Sequence, residues 1–256
     1  KKKMEKIKKL AIEAAEKAGK ILAENFGKTC KMTLKKTGGF VTNLDFESEK
    51  TIIDIIRKNY PDHLILSEES GKIEGTSEYM WIVDPLDGTH NYIRGIDIFG
   101  VSIALLYRGE AILGVIHIPM RGEIYFATRG EGAYLNGKKI NVSNRTLESC
   151  YMVHDSYIGK NKNIVETLKK LSSKSFNLRM FGSTARSLSL LAEGKVDFVI
   201  DYHDRPWDFS AGAIIVEEAG GKVTDLHGEK WNPWIKGYIA SNGVVHQDIL
   251  RIISAS

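Results

Sequence analysis

From Ile7 onward the apolar positions recur every three or four residues: Ile7, Leu10, Ala11, Ala14, Ala15, Ala18, Ile21, Leu22 and Phe26. That spacing puts them on one face of a long helix, and Gly27 supplies its stop. A polar loop follows, Lys35-Lys36-Thr37-Gly38-Gly39. Helical spacing resumes near Asp45 and runs to Tyr60, where Pro61 disfavours further helix. The period then shortens. Leu64-Ile65-Leu66 and Met80 to Val83 read as short buried strands. Phe99 to Tyr107 and Ala111 to Ile118 read as a hairpin around Arg108-Gly109-Glu110. Glu123 to Ala127 and Ala133 to Leu135 extend the β pattern. Asn136-Gly137 marks a tight turn, since both residues tolerate positive φ.

The pattern changes character near residues 141–150. Strands at Tyr151–Val153, Leu178–Phe181, Val196–Ile200, Lys222–Thr224 and Tyr238–Ala240 now alternate with helices. The helices fall near Ile164–Leu171, Ala185–Ala192 and Ser210–Ala219, with a last one from Val245. The expected class is α/β. Residues 1–145 form an α+β half with an antiparallel sheet, and residues 146–256 form an α/β half. No repeat or linker separates them, so the halves should pack as one unit. A chain of 256 residues is long enough for that.

Composition narrows the partners. Charged residues are 27% and hydrophobic residues 43%, which excludes a disordered chain. The net charge of +4 comes mostly from the lysines of residues 1–9, which read as the solvated face of the first helix. A nucleic-acid footprint needs basic residues on one working face, and none is expected here. No apolar run approaches the roughly 18 residues of a membrane span, and the basic N-terminus lacks a signal-peptide core. Cys30 and Cys150 form neither a metal spacing nor a disulfide framework. A cytoplasmic location with reduced thiols is expected.

The candidate chemistry sits in Trp81-Ile82-Val83-Asp84-Pro85-Leu86-Asp87-Gly88-Thr89. A buried strand delivers Asp84 at its carboxyl end, where open α/β sheets place ligands. Asp87 follows three residues later, and two carboxylates that close repel unless a cation intervenes. Gly88 permits close backbone approach, and the amides after it can face an anion. Glu68-Glu69 follows another buried strand. Neighbouring side chains on extended chain point opposite ways, so one of the two should face the same crevice. Asp208 precedes a helix with an apolar face at Ala211, Ile214, Ile215 and Ala219; it reads as a further carboxylate ligand or as a plain N-cap. Asp45 carries the same two readings. An all-oxygen cage without zinc-like His or Cys spacing suits Mg²⁺ or Mn²⁺ rather than Zn²⁺. His90 and His203 lie near this site in sequence but show no partner spacing.

Rival motifs fail. A P-loop before Lys28-Thr29 would need glycine at Leu22. Gly130-Glu131-Gly132 lies in hairpin sequence rather than between strand and helix. Gly182-Ser183 lacks the nucleophile-elbow pattern. Metal-activated water is therefore the better candidate nucleophile than a side chain.

With these motifs the chain is similar to the inositol monophosphatase family of Mg²⁺-dependent, typically lithium-sensitive phosphatases. The resemblance rests on Trp81 to Tyr92, on Trp207-Asp208-Phe209-Ser210-Ala211-Gly212 continuing to Glu218-Ala219-Gly220-Gly221, and on Val41 to Asp45, Ser67 to Ser70 and Gly130 to Gly137. It implies the layered αβαβα sandwich of the sugar phosphatases, and a homodimer. Asp84 would bridge two metals, Glu68 and the Leu86 carbonyl would complete the first, and Asp87 and Asp208 would hold the second. A third ion could sit by Glu68, and Mn²⁺ could replace Mg²⁺. Thr89, backed by Asp45, would orient the attacking water, making Glu68, Thr89 and Asp45 the catalytic set. The Gly88 and Thr89 amides would hold phosphate, with Asp201 and Arg186 contacting substrate. Lys35 or Lys36 would match the family's loop lysine. The implied substrate is a small polyol or sugar phosphate, with inositol 1-phosphate first and fructose 1,6-bisphosphate second. Adenosine 3′,5′-bisphosphate and histidinol phosphate follow. A non-enzymatic regulatory scaffold is the reading of a different class, and the full set of carboxylates argues against it.

Overall fold

The computed structural model describes residues 2–35, 39–154 and 162–254. The first half runs α1 (Lys2–Asn25), β1 (Met32–Leu34), β2 (Phe40–Thr42), α2 (Asn43–Asn59), β3 (Leu64–Ser67), β4 (Gly71–Ile73), β5 (Tyr79–Asp87) and α3 (Thr89–Ile93). It continues with β6 (Gly100–Tyr107), β7 (Glu110–Ile118), β8 (Glu123–Thr128), β9 (Gly132–Leu135) and β10 (Lys138–Ile140). The second half runs β11 (Tyr151–His154), α4 (Lys162–Ser172), β12 (Asn177–Arg179), α5 (Thr184–Ala192), β13 (Phe198–Asp201) and α6 (Pro206–Glu218). It ends with β14 (Lys222–Asp225), β15 (Tyr238–Ser241) and α7 (His246–Ser254).

β1 and β2 pair as a small antiparallel two-stranded sheet, and the two larger sheets fall on either side of residue 145. The larger has eight strands in the order β10-β9-β8-β7-β6-β5-β3-β4. Its neighbours are antiparallel except β3 and β5, which are parallel. That exception to the expected antiparallel sheet arises because β4 folds back on β3, and residues 74–78 return the chain to β3's starting end. The smaller sheet has the order β12-β11-β13-β15-β14. It is mixed: β11 runs parallel to β12 and β13, and β15 antiparallel to β13 and β14.

Five layers result. The apolar faces of α1 and α2 share one core with Trp81, Val83, Val101 and Ile103 of the large sheet. The opposite face of that sheet, with Ile82 and Ala104, packs on α5 and α6, which also meet Val199 and Ala240 of the small sheet. Leu171 of α4 and Ile249 of α7 cover the small sheet's outer face. This is the αβαβα sandwich. The middle helix layer is tight because Gly212 of α6 faces Leu188 of α5; a Cβ there would lie 2.3 Å from Leu188 Cδ1. No described helix is long and apolar enough to cross a membrane.

This layering brings four element ends together. β5 ends at Asp84 to Asp87, with a register shift against β6 between them. α5 and α6 begin at the same edge, and α2 begins under the other face.

Candidate active site

Asp84, Asp87 and Asp208 each turn a carboxylate oxygen into one space, all within 4.8 Å of one another. Among the described residues this is the one such group of His, Cys, Asp or Glu ligand atoms. It opens into a pocket of about 220 Å³ whose lining also includes Lys35, Glu68, Leu86, Gly88, Thr89 and His90. Asp84 is 1% exposed. Burial raises its pKa well above the usual carboxylate value, and the charges of Glu68, Asp87 and Asp208 add to the effect. Burial likewise raises Asp208. A buried, all-oxygen set of mutually repelling carboxylates fits a hard divalent cation, which would remove the repulsion.

Local structure aims each group. Asp84 Oδ1 accepts from the Leu86 amide at 3.1 Å, folding the turn that Pro85 stiffens. Asp87 sits at the start of α5. It accepts from the amides of Thr184 at 3.2 Å and Ala185 at 3.0 Å, and from the Ser183 hydroxyl. Burial pushes Asp87 up to about 7, although these donors pull the other way. Ser183, Thr184 and Ala185 were not anticipated as parts of the site; the signal was Ser183 as a helix N-cap, which the structure shows it to be. Gly88, at φ 85°, turns the chain from β5 into α3 in a conformation side-chain-bearing residues rarely adopt.

Neither Asp45 nor Asp208 is an N-cap. Thr42 caps α2, and Asp45 is the third helical residue, its Oδ2 accepting from the Thr42 amide at 2.7 Å and hydroxyl at 2.6 Å. Asp208 occupies the equivalent place in α6, after Pro206, and accepts from the Arg205 amide at 2.5 Å. In both cases one carboxylate oxygen closes the helix start. Asp45 Oδ1 lies 3.2 Å from the Thr89 hydroxyl, which is also 3.0 Å from the Leu86 carbonyl. Burial raises the Asp45 pKa.

The Glu68-Glu69 pair departs from the expectation that one side chain would turn away. Both reach the same ammonium, Lys35 Nζ, at 2.8 Å and 2.5 Å. Residues 68–70 form a turn rather than extended chain, so the two-residue alternation does not apply. Burial opposes the Lys35 charge, but the two carboxylates outweigh it and raise its pKa. Lys36 lies outside the described residues. Two residues of α2 were missed by sequence reasoning. Ser48 Oγ donates to the Pro85 carbonyl at 2.6 Å, and Glu49 accepts from the turn at Glu69 and Ser70. Nothing in the helical pattern set them apart from a polar helix face.

Asp201 ends β13 and does not line this pocket. It accepts from the amides of His203 at 2.7 Å and Asp204 at 2.8 Å, and its charge helps raise Asp208. Arg186 is not at the pocket either. Its Nη1 lies 2.7 Å from Glu123 and 3.4 Å from the Tyr125 hydroxyl, because Ser183 starts the helix one turn earlier and sends Arg186 toward β8. The expected substrate contact at Arg186 would require this pair with Glu123 to open. His90 lines the pocket edge-on to Phe40, ring centroids 5.6 Å apart.

Comparison with known proteins finds relatives along nearly the whole chain. The model of the inositol monophosphatase family matches residues 3–256. A fructose-1,6-bisphosphatase/inositol-1-monophosphatase of Thermotoga maritima is 37% identical over 247 residues, covering 95% of this chain and 94% of the relative. The Nus factor SuhB of Escherichia coli K12 is 41% identical over 227 residues, covering 86% and 85%. The crystal structure of the extragenic suppressor protein suhB from Bartonella henselae superposes with a TM-score of 0.93 at 34% identity, covering 96% of this chain and 98% of that one.

Proposed function

The chain belongs to the inositol monophosphatase family and is a phosphoric monoester hydrolase, and from that premise we propose that it hydrolyses a small polyol or sugar phosphate, with inositol 1-phosphate first and fructose 1,6-bisphosphate second. The carrying observation is the convergence of Asp84, Asp87 and Asp208 beside Thr89 and Asp45. Glu68, Asp84, the Leu86 carbonyl, Asp87 and Asp208 would hold two or three Mg²⁺ ions, with Mn²⁺ as a substitute. When bound, these ions supply Lewis-acid charge that neutralises the phosphate and makes water more acidic.

The chain's own groups do the rest. Lys35, paired with Glu68 at 2.8 Å, would give up that pair for Glu68 to hold a cation. The Gly88 and Thr89 amides hold the phosphate oxygens. Thr89 Oγ1 orients the attacking water and takes a proton from it as its own hydroxyl proton passes to Asp45 Oδ1. Burial makes Asp45 more basic than an ordinary carboxylate, the direction that suits a proton acceptor. The water oxygen joins phosphorus as the bond to the alcohol oxygen breaks; the leaving alkoxide takes a proton from solvent, and Asp45 releases its own to solvent. Asp201, buried at the end of β13 outside the pocket lining, would have to turn toward the site to accept hydrogen bonds from the substrate's hydroxyls.

Phosphate release with Mg²⁺ from inositol 1-phosphate, fructose 1,6-bisphosphate, adenosine 3′,5′-bisphosphate and histidinol phosphate tests the reading. A preference for the nucleotide would overturn the substrate and leave the reaction standing. A second reading is favoured by the relative named a Nus factor: a protein-binding role alongside hydrolysis. It predicts a partner retained by a hydrolysis-dead Asp84→Asn chain. A homodimer is part of the proposal, and light scattering on the purified protein checks it.

A further inference from the structure

The first two turns of α2 touch each segment from which the site's first-half groups come. Asp45 meets Thr89, Ser48 meets the Pro85 carbonyl, and Glu49 meets the turn at residues 68–70. Glu49 is 3% exposed. Its Oε1 accepts from the amides of Glu69 and Ser70, each at 3.1 Å, and its Oε2 from the Ser70 hydroxyl at 2.5 Å. The Glu68 amide donates to the Val83 carbonyl at 3.2 Å, one residue before Asp84. Glu68 is thus tied to β5 on one side and, through the next two residues, to α2 on the other. Charge-assisted bonds of this kind are short and directional. A buried acceptor with three donors also prevents two turn amides from being left unpaired, which would cost about 1–3 kcal/mol each.

We propose that Glu49 is a positioning residue for Glu68, fixing the 68–70 turn so that the Glu68 carboxylate faces Asp84 rather than solvent. The proposal deepens the metal site and rests on the reading of Glu68 as a ligand. A partner one layer behind a ligand typically changes metal affinity by about 10–100-fold when removed. Glu49 differs from a packing residue in one respect. Its effect must pass through Glu68 and vanish when Glu68 no longer ligates.

The test uses the full chain and Mn²⁺, with free ion counted by electron paramagnetic resonance and folding followed by thermal unfolding in EDTA. Glu49→Asp keeps the charge but withdraws it by one methylene, so it cannot span both amides and the hydroxyl. It should weaken Mn²⁺ binding about tenfold. Glu49→Gln keeps an oxygen for the two amides and should bind within about threefold of wild type. Added to Glu68→Gln, Glu49→Asp should weaken binding no further, which is the signature of coupling between them. Glu49→Asp binding within twofold of wild type, or weakening equally in the Glu68→Gln background, overturns the proposal. A wild-type chain that binds no Mn²⁺ overturns the metal reading as well. Should Glu49→Asp fail to fold, Ser70→Ala removes one of the three bonds more gently. An unchanged Mn²⁺ affinity there has the same overturning force, and a loss of about threefold supports the proposal.

Discussion

Asp84→Asn should make the metal-free protein more stable, by an amount that grows with pH. The substitution keeps the oxygen that accepts from the Leu86 amide at 3.1 Å. It removes one charge from three carboxylates whose ligand oxygens lie within 4.8 Å of one another. At that separation, with an effective dielectric of about 20, each ionised pair repels by roughly 3–4 kcal/mol. The wild type escapes part of this by holding protons. Burial and the neighbouring carboxylates raise Asp84, and burial pushes Asp87 up to about 7 from an ordinary 3.8. The unfolded chain does not hold those protons above about pH 4. Between about pH 4 and pH 7 the folded state therefore binds more protons, and stability falls as pH rises, by about 1.4 kcal/mol per pH unit for each extra proton. A variant with one carboxylate fewer binds roughly one proton less. Its advantage should grow by about 1–3 kcal/mol from pH 5 to pH 7, or about 2–8 °C in Tm. Circular dichroism melts in EDTA at pH 4, 5, 6 and 7 measure it. The two proteins should melt together at pH 4, where neither state gains by ionising. Saturating Mg²⁺ should reverse the order, since the wild type gains binding free energy that the variant has lost. A variant less stable than wild type at pH 7 without metal, or an advantage independent of pH, would refute the repulsion argument.

Four further outcomes are expected. Asp84→Asn should lower hydrolysis in Mg²⁺ by about a hundredfold or more, the scale of a key electrostatic stabiliser, and near wild-type turnover would remove Asp84 from the centre of the site. Thr89→Val should lower kcat far more than it raises KM, because the nearly isosteric side chain keeps the backbone and loses only the hydroxyl facing Asp45; an effect confined to KM would assign Thr89 to positioning alone. Lys35→Met should raise Mn²⁺ affinity several-fold, since the ammonium no longer competes for Glu68 at 2.8 Å, and weaker binding would show that Lys35 supports the loaded site. Asp201→Ala should harm inositol 1-phosphate more than an aryl phosphate without hydroxyls, and equal losses would rule out recognition of the polyol.

Much of this molecule is legible in the order of its residues. The face of α1 buried in the structure is the one its three- and four-residue spacing marks, from Ile7 to Leu22. The hairpin of β6 and β7 and the alternation of strand and helix after residue 145 are also local properties, because periodicity reports which side of an element avoids water. So is the pairing of Asp84 with Asp87, since a strand and a stiff turn carry both. The short strands β1, β2, β4 and β10 escaped that reading; three residues carry too little pattern, and they form only because a neighbouring strand completes their hydrogen bonds.

What periodicity leaves open is which side of one element meets which side of another. The meeting of Asp208 with Asp84 depends on α6 entering the middle layer at the end of β5, and the closeness of Gly212 to Leu188 helps set that entry. Directions within turns are equally non-local. Glu69 joins Glu68 on Lys35, Arg186 turns to Glu123, and Glu49 reaches the 68–70 turn. Each is an ordinary polar residue in its own segment. The sequence by itself determined the longer elements, their apolar faces and the carboxylates at the end of β5. The tertiary structure decided which distant side chains those carboxylates face, because hydrogen bonds and charge repulsion act across a few ångströms of space whatever the distance along the chain.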